Sequence, residues 1–403
     1  MMNHIQDLKR RWTPIKIGVL IVSTIGINIG CTEIDSGWSP GAAPDGGWTV
    51  PALYHRAVED GFTGTALVRY RGDMLLNSAA GFADKEAGTA NMTDTVFNIG
   101  SITKQYTGAL ILSLQESGLL KVEDRLSDHF DNVPQDKADI TIHQLLTHTA
   151  GFAVGLGGDD DPIDREEYLA LAWSIPLQGS PGAQFSYSNA GYSIAAAVAE
   201  TVTGQSYESA LVERLFAPAG INETGYVLPD WSGRLIAIGY NESGSLATYW
   251  TDRTISIEYS ETGSLATQEA SWTDEGPYWH LRGNGGLLTT TSDLLKWNDA
   301  LSGTELLGAS GIEVLQGQHA EISGHGSRFY GYGMWATDSP IGSLHWHSGA
   351  NGFNYAQMLR FVDDDLVVII LSNEDSDVSR YLPMGLARAA ATSLVNWHSP
   401  FDN

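Results

Sequence analysis

Apolar and polar positions alternate with a period of two where globular patterning begins, near Pro51. The segment "TGTALVRY" is followed by Arg71-Gly72-Asp73 and then by "MLLNSAAGFAD". Alternation on both sides of a glycine-containing turn is typical of an antiparallel hairpin. The first patterned part of the chain therefore predicts two paired strands.

A helical period replaces the alternation from Ser101 to about Leu215, and it is clearest in "GYSIAAAVAETVTG", where Gly204 is a helix-stop signal. Strand patterns return in "GSLHWHSG", "NYAQMLRFV" and "LVVIILSN", with a turn at residues 363–365 and a last helix over about 378–397. This order predicts an α/β fold in which an antiparallel sheet from both chain ends is flanked by helices, with a mainly helical subdomain inserted. The active cleft is expected between sheet and helices.

An internal repeat interrupts the second half of the chain. "YNESGSLATYWTD" and "YSETGSLATQEASWTD" match with a 19-residue offset within residues 240–274. Two copies are too few for a solenoid, so they predict a duplicated hairpin or loop insert. The predicted organisation is a signal segment at 1–30, a flexible linker at 31–50 and one domain at 51–400, whose helical and insert region spans about 115–285.

The N-terminal segment has the features of an export signal. A short apolar run, residues 17–30, follows three basic residues at 9–11. It is too short for a typical membrane span and matches a signal-peptide core, which predicts a periplasmic or secreted protein. Gly30-Cys31 resembles a bacterial lipoprotein cleavage site, although Asn28 stands where an apolar residue is usual. Either Cys31 is lipidated and anchors the protein to a membrane, or ordinary cleavage leaves this cysteine free or removes it.

The linker contains a decoy. Its residues 37–41, Gly-Trp-Ser-Pro-Gly, satisfy the G-x-S-x-G pattern of a nucleophile elbow. Such an elbow needs a backbone N–H on the residue after the serine as an oxyanion donor, and Pro40 has none. We therefore do not expect Ser39 to be a nucleophile.

Composition and charge exclude some classes of protein. The chain has 403 residues, of which 42% are hydrophobic and 17% charged, as in ordinary globular proteins. Its formal net charge of -26 repels phosphate backbones, so nucleic acid is not an expected partner. Cys31 is the single cysteine, so no intramolecular disulfide can form.

Ser101 and Lys104 form the one S-x-x-K string of the chain, at the start of a predicted helix. A serine there can simply cap the helix while the lysine faces solvent. In the catalytic interpretation, the i,i+3 spacing puts hydroxyl and amine on one face and a dry site lowers the pKa of the lysine. The helix N-terminus would then offer N–H groups to an oxyanion.

Two more strings each occur once, Tyr187-Ser188-Asn189 as Y-x-N and His347-Ser348-Gly349 as [HK]-[ST]-G. Together with S-x-x-K, and in this order, they resemble the penicillin-recognising serine hydrolases. This group holds class C beta-lactamases, D-stereospecific peptidases and family VIII-type esterases. "TIHQLLTHTAGF", "FAPAGINETGY" and "GNGGLLTTTSDLLKW" resemble the same family, so the resemblance covers roughly residues 53–373. It implies a beta-lactamase/transpeptidase-like fold.

The resemblance also implies catalytic roles. Ser101 would be the acylated nucleophile and Lys104 its proton partner. Tyr187 would be the general base or the shuttle toward the leaving group, and the division of base duty between it and the lysine stays open. The backbone N–H groups of Ser101 and Ala350 would form the oxyanion hole. No metal or organic cofactor is implied.

The residues implied to contact the substrate are Asn189, His347, Ser348 and Gly349. Asn189 would bond the acyl-side amide or a neighbouring catalytic side chain, while His347, on a strand edge, would face the far end of the substrate. Beta-lactamases of this group have Lys-Thr-Gly at the third motif. A histidine with an ordinary pKa gains charge only below about pH 6.5, so we expect it to help carboxylate-bearing substrates less as pH rises.

This departure favours hydrolysis of small-molecule esters, and then of D-amino-acid amides or peptides, over efficient beta-lactam hydrolysis. The alternative from another class is a penicillin-binding or sensor lipoprotein that is acylated without turnover. His345 and His347 have a spacing that can chelate zinc, but no complete metal site accompanies them in the sequence.

Overall fold

The secondary structure alternates between strands at the two chain ends and helices between them. A computed structural model describes residues 38–44, 47–241, 246–247, 256–259, 265–268, 276–304, 306–324 and 327–391, all within the compact unit Glu33–Asn403. The α-helices are α1 (Val50–Glu59), α2 (Thr103–Glu116), α3 (Leu126–His129), α4 (Ile142–Leu146), α5 (Arg165–Ser174), α6 (Asn189–Thr203), α7 (Tyr207–Leu211), α8 (Thr291–Ser302), α9 (Ala309–Leu315) and α10 (Asp377–Ala391). The strands are β1 (Gly64–Tyr70), β2 (Asp73–Ala80), β3 (Phe82–Asp84), β4 (Thr89–Ala90), β5 (Phe97–Asn98), β6 (Gly239–Tyr240), β7 (Leu246–Ala247), β8 (Ser256–Tyr259), β9 (Leu265–Gln268), β10 (Leu288–Thr289), β11 (Ala320–Glu321), β12 (Arg328–Tyr330), β13 (Trp335–Ser339), β14 (Gly342–Ala350), β15 (Tyr355–Phe361) and β16 (Leu366–Ser372).

The first and last strands of the domain pair in one antiparallel sheet. Its order is β11-β12-β13-β14-β15-β16-β1-β2, with Leu67 of β1 opposite Ile369 of β16. Strands β15 and β16 are buried along their whole length, and in β16 every residue from Leu366 to Leu371 is apolar. The prediction of a sheet built from both chain ends is confirmed.

Helices cover the sheet and form a second region. Helix α10 packs on β15 and β16 and α1 packs on α10, while α8 contacts β1 and β16. Between the N-terminal strands and α8 lie helices α2 to α7, among which α2 packs on α6. Helix α6 is buried from Ala190 to Ala199, because its small side chains allow neighbouring helices to approach closely. The predicted helical insertion is present.

Local signals in the sequence coincide with the ends of these elements. Arg71 and Gly72, both with positive φ, connect β1 to β2, and Asp365 does the same between β15 and β16. Gly204 ends α6 in the left-handed conformation, with φ at +67°. The predicted last helix is present as α10, and its predicted end, residues 392–397, lies outside the described residues.

Other predictions fall where little is described. Residues 1–37, with the signal segment and Cys31, lie outside the described residues, so export and lipidation stay predictions. Across the repeated strings, strands β6, β7, β8 and β9 form a separate antiparallel sheet in that order, as expected for hairpins. Within the part of the chain that is described, no helix is long and apolar enough to cross a membrane.

Candidate active site

Ser101 and Lys104 lie within hydrogen-bond distance where a 3-10 helix, Gly100–Ile102, continues into α2. The i,i+3 spacing puts both side chains on one face, and Lys104 Nζ is 2.9 Å from Ser101 Oγ. Ser101 is 8% exposed and Lys104 is 0% exposed. No side chain caps either helix. The interpretation as a capping serine beside a solvated lysine therefore does not describe this pair.

The environment of Lys104 favours its neutral form. Burial lowers the pKa of Lys104 well below its ordinary value. The amine has a second fixed partner, the carbonyl oxygen of Asn284 at 2.6 Å. As a free amine, Lys104 donates one N–H to Asn284 and keeps its lone pair for the Ser101 hydroxyl. The arrangement can therefore accept the serine proton during attack on a carbonyl carbon.

Aromatic rings and one carboxylate oppose this loss of charge. Lys104 Nζ lies 4.9 Å from the ring centroid of Tyr187 and 5.7 Å from that of Tyr192, and such faces attract a cation. The negative charge of Asp159 raises the pKa of Lys104, but by less than burial lowers it. Burial and the neighbouring Asp160 raise the pKa of Asp159 to about 6. Because Asp159 as a residue remains exposed to solvent, screening by water weakens its interaction with Lys104.

The Y-x-N string lies at the start of α6. Ser188 caps this helix by accepting a hydrogen bond from Gly191 N–H at 3.2 Å, which places Tyr187 just before the first turn. The Tyr187 ring faces Lys104 and is stacked on Trp335, with the ring planes 7° apart. Oδ1 of Asn189 is buried and has no hydrogen-bond partner among the described residues, so it can accept from a substrate N–H.

Two backbone N–H groups lie at a close approach between strand and helix. Strand β13 pairs with β14 only as far as Trp346, so residues 347–350 of β14 pair with β15 alone. The N–H of Asn351 donates to the carbonyl oxygen of Asn354, just before β15. In an antiparallel ladder, successive residues direct their N–H groups alternately toward the partner strand and away from it, so the N–H of Ala350 points away from β15. On that side, a Cβ built on Gly100 would lie 3.0 Å from Ala350 N. The N–H groups of Ser101 and Ala350 can thus converge on one oxyanion.

His347 has a neutral ring held by two hydrogen bonds. Its Nε2 lies 3.0 Å from the Tyr330 hydroxyl and its Nδ1 lies 2.6 Å from the carbonyl oxygen of Ser348. A carbonyl oxygen only accepts, so Nδ1 carries the proton and Nε2 accepts from the tyrosine. Burial and the charge of Lys104 lower the pKa of His347 to about 3. The expectation that this ring gains charge near pH 6.5 is therefore wrong, because the strand places it in a dry site beside the Lys104 amine.

Three residues that shape the site were not identified from sequence: His148, Asp159 and Asn284. His148 and Asn284 lie in stretches that carry the family resemblance, but nothing local shows their contacts. The hydrogen bond between Lys104 and Asn284 joins residues 180 positions apart. Such contacts depend on the tertiary fold and have no signature in periodicity or spacing.

Two other candidates from the sequence, Ser39 and His345, lack the surroundings that their suggested roles need. Ser39 is outside any helix or strand, whereas a nucleophile elbow joins a strand to a helix. His345 was considered only because its spacing from His347 can chelate zinc. Burial and the charge of Arg360 lower the pKa of His345 to about 4. Over the described ranges, no group of three His, Cys, Asp or Glu side chains could hold a metal ion.

Known proteins resemble this chain in sequence and in fold. A family model described as "Beta-lactamase" matches residues 50–392. Penicillin-binding protein 4 of Amycolatopsis lactamdurans is 32% identical over 169 residues, covering 40% of this chain and 44% of that protein. Penicillin-binding protein 4* of Bacillus subtilis (strain 168) is 27% identical over 326 residues, covering 78% and 69%. Esterase EstB of Burkholderia gladioli is 31% identical over 182 residues, covering 40% and 46%.

Solved structures of other proteins have a similar fold. A penicillin-binding protein from Bacillus halodurans superposes with a TM-score of 0.67 and 26% identity, covering 85% of this chain and 99% of that one. D-amino acid amidase from Ochrobactrum anthropi SV3 has the same fold, with a TM-score of 0.69 and 19% identity over 85% and 98% of the chains. The chain belongs to the beta-lactamase family of penicillin-recognising serine hydrolases. It spans less than half the length of two of the three curated relatives.

Proposed function

We propose that this protein is a serine hydrolase of the carboxylesterase type that forms an acyl-enzyme on Ser101. One observation carries the proposal: Lys104 Nζ lies 2.9 Å from Ser101 Oγ in a buried site that lowers the pKa of the lysine. A serine hydroxyl is a poor nucleophile unless a nearby base takes its proton, and a neutral buried lysine can do so.

The proposed reaction has two halves. Ser101 Oγ attacks the ester carbonyl carbon while its proton passes to Lys104, and the N–H groups of Ser101 and Ala350 bind the resulting oxyanion. Collapse of the intermediate breaks the ester C–O bond, and the Lys104 and Tyr187 pair returns the proton to the leaving alcohol. Water then attacks the acyl-enzyme with the same pair as base, releasing the acid and restoring the Ser101 hydroxyl.

The preference for neutral esters rests on the strand that carries the third motif. His347 stays uncharged because its pKa is lowered to about 3, so this position offers no fixed positive charge to a substrate carboxylate. The likeness to esterase EstB over part of the chain supports the same choice.

D-Amino-acid amides or peptides form a second candidate class, which Asp159 supports. Its carboxylate lies near enough to Lys104 to raise the pKa of that lysine. A substrate with a free ammonium group could therefore meet a negative charge beside the nucleophile.

A substrate panel tests the proposal. Purified wild type and Ser101→Ala would be compared on short-chain p-nitrophenyl esters, D-alanyl amides and peptides, and a chromogenic cephalosporin. We expect repeated turnover of the esters that Ser101→Ala abolishes. Stoichiometric labelling by a penicillin without turnover of any substrate would instead identify a penicillin-binding or sensor protein, and undiminished turnover in Ser101→Ala would refute the assignment.

We also propose that the protein is exported and held at a membrane through lipidated Cys31, on the basis of its N-terminal sequence. Cell fractionation and labelling with a radioactive fatty acid, with Cys31→Ser as control, test this. A wild-type protein that stays unlabelled and fractionates as the variant does would exclude lipidation.

A further inference from the structure

The residues on both sides of Tyr187 are bound to a single residue, His148. The backbone N–H of Ser186 donates to the carbonyl oxygen of His148 at 2.8 Å. The backbone N–H of Ser188 donates to His148 Nδ1 at 3.0 Å. The His148 ring also covers the Tyr187 ring, with the centroids 4.2 Å apart and the planes inclined by 35°. His148 therefore contacts the backbone before Tyr187, the backbone after it and its ring.

The His148 ring is neutral and has a defined tautomer. Because Nδ1 accepts the Ser188 N–H, the ring proton lies on Nε2. This Nε2 is buried and has no hydrogen-bond partner among the described residues. Burial, and then the charge of Lys104, lower the pKa of His148 well below its ordinary value. The acceptor for Ser188 therefore stays unprotonated while the site works.

Two local features of His148 are uncommon. Its φ is +57°, in the left-handed region that few residues other than glycine adopt, although histidine is among those enriched there. Its Nε2–H is removed from water without a partner among the described residues. Conformations with such costs concentrate at functional sites, where the surrounding structure holds them. A glycine would remove the strain but would supply neither the acceptor for Ser188 nor the ring against Tyr187.

We propose that His148 is a positioning residue for Tyr187 in acyl transfer, a role that rests on the proposed function. Its two hydrogen bonds fix the backbone on either side of Tyr187, and with it the position of the phenol. The phenol is thereby held facing Lys104, whose Nζ lies 4.9 Å from the Tyr187 ring centroid. Proton transfer by the Tyr187 hydroxyl depends on where this ring is held, and a shift of about 1 Å can lower a rate on the order of 100-fold.

A matched pair of substitutions separates positioning from packing. In His148→Asn, Oδ1 takes the place of Nδ1 and can still accept from Ser188, and asparagine tolerates a positive φ. In His148→Gln the acceptor is displaced by one atom. We expect kcat to fall on the order of 100-fold in His148→Gln with KM within about threefold, and to stay within about fivefold of wild type in His148→Asn.

The second measurement repeats both changes in a Tyr187→Phe background, with a p-nitrophenyl ester whose leaving group needs no proton. If His148 acts through the tyrosine, His148→Gln should lower this residual rate less than about threefold. Equal falls in both backgrounds, or equal losses in the Asn and Gln variants, would overturn the role. If His148→Gln melts below the assay temperature, His148→Phe, which keeps a ring without the acceptor, replaces it with the same expectation.

Wild type and Ser101→Ala are assayed in parallel, so that failure of the proposed hydrolase function can be distinguished from failure of the positioning role of His148. Absence of Ser101-dependent turnover in the wild type would overturn the proposed function, and the role of His148 with it. Ser101-dependent turnover with additive losses at His148 and Tyr187 would overturn the positioning role alone.

Discussion

Replacing Gly349 by alanine perturbs the approach between β14 and the helix that carries the nucleophile. A Cβ built on Gly349 would lie 2.7 Å from Ser101 N and closer still to the carbonyl oxygen of Ile99. Ordinary contact begins at 3.4 Å, so the backbones must separate by at least the difference, 0.7 Å, and no flexible side chain can give way. This shift would part the N–H groups of Ala350 and Ser101. Loss of one oxyanion donor lowers kcat about 100- to 1,000-fold, or about 2.7–4 kcal/mol.

The assay is kcat and KM on a p-nitrophenyl ester together with a thermal melt. We expect Gly349→Ala to remain folded at the assay temperature with kcat lowered at least about 100-fold. Gly179→Ala is the matched control, because a Cβ there would meet nothing within 4 Å, and its stability should change by less than about 0.5 kcal/mol. Gly100→Ala, which puts a Cβ 3.0 Å from Ala350 N and strains a backbone with φ at +47°, should also impair kcat. A folded Gly349→Ala protein with wild-type kcat would refute the close approach as the origin of the oxyanion hole.

Three further predictions concern proton transfer and charge. Lys104→Ala and Tyr187→Phe should each lower kcat about 100- to 10,000-fold, and the double variant should lose little more; additive losses in kcat would show independent roles. Asp159→Asn removes a charge that raises the pKa of Lys104, so the lysine should become neutral at lower pH and the acidic limb of kcat/KM should move to lower pH. A move to higher pH would contradict that coupling. Because the pKa of His347 is about 3 and that of Asp159 is about 6, the kcat/KM ratio of a carboxylate-bearing to a matched neutral ester should stay flat from about pH 5.5 to 8.5 in the Asp159→Asn protein, and a falling ratio there would show a titrating imidazole.

Local sequence patterns were sufficient to predict the strands and helices that carry the site. Alternation predicted β1 and β2, the apolar runs predicted β15 and β16, and Gly204 marked the end of α6, because these signals depend on neighbours in the chain. The pairing of Ser101 with Lys104 also follows from local spacing. The approach of Tyr187 to that pair was inferred only through the family resemblance, since Lys104 and Tyr187 are 83 positions apart.

Burial and long-range contacts could not be predicted. The charge state expected for His347 assumed an ordinary pKa, whereas its actual environment is a dry site beside Lys104 and Tyr330. The carbonyl of Asn284 and the ring of His148 lie in turns that the tertiary fold brings to the site from distant parts of the chain. Their roles depend on backbone atoms and a single tautomer, which residue identity alone does not specify.

Identification of the acylated residue tests the account most directly. The wild-type protein would be treated with an active-site fluorophosphonate, digested and analysed by peptide mass spectrometry, with Ser101→Ala as the control. The account predicts one labelled peptide, modified at Ser101, and no labelling of the variant. Labelling at another serine such as Ser39, or equal labelling of the Ser101→Ala protein, would contradict the assignment of Ser101 as the nucleophile.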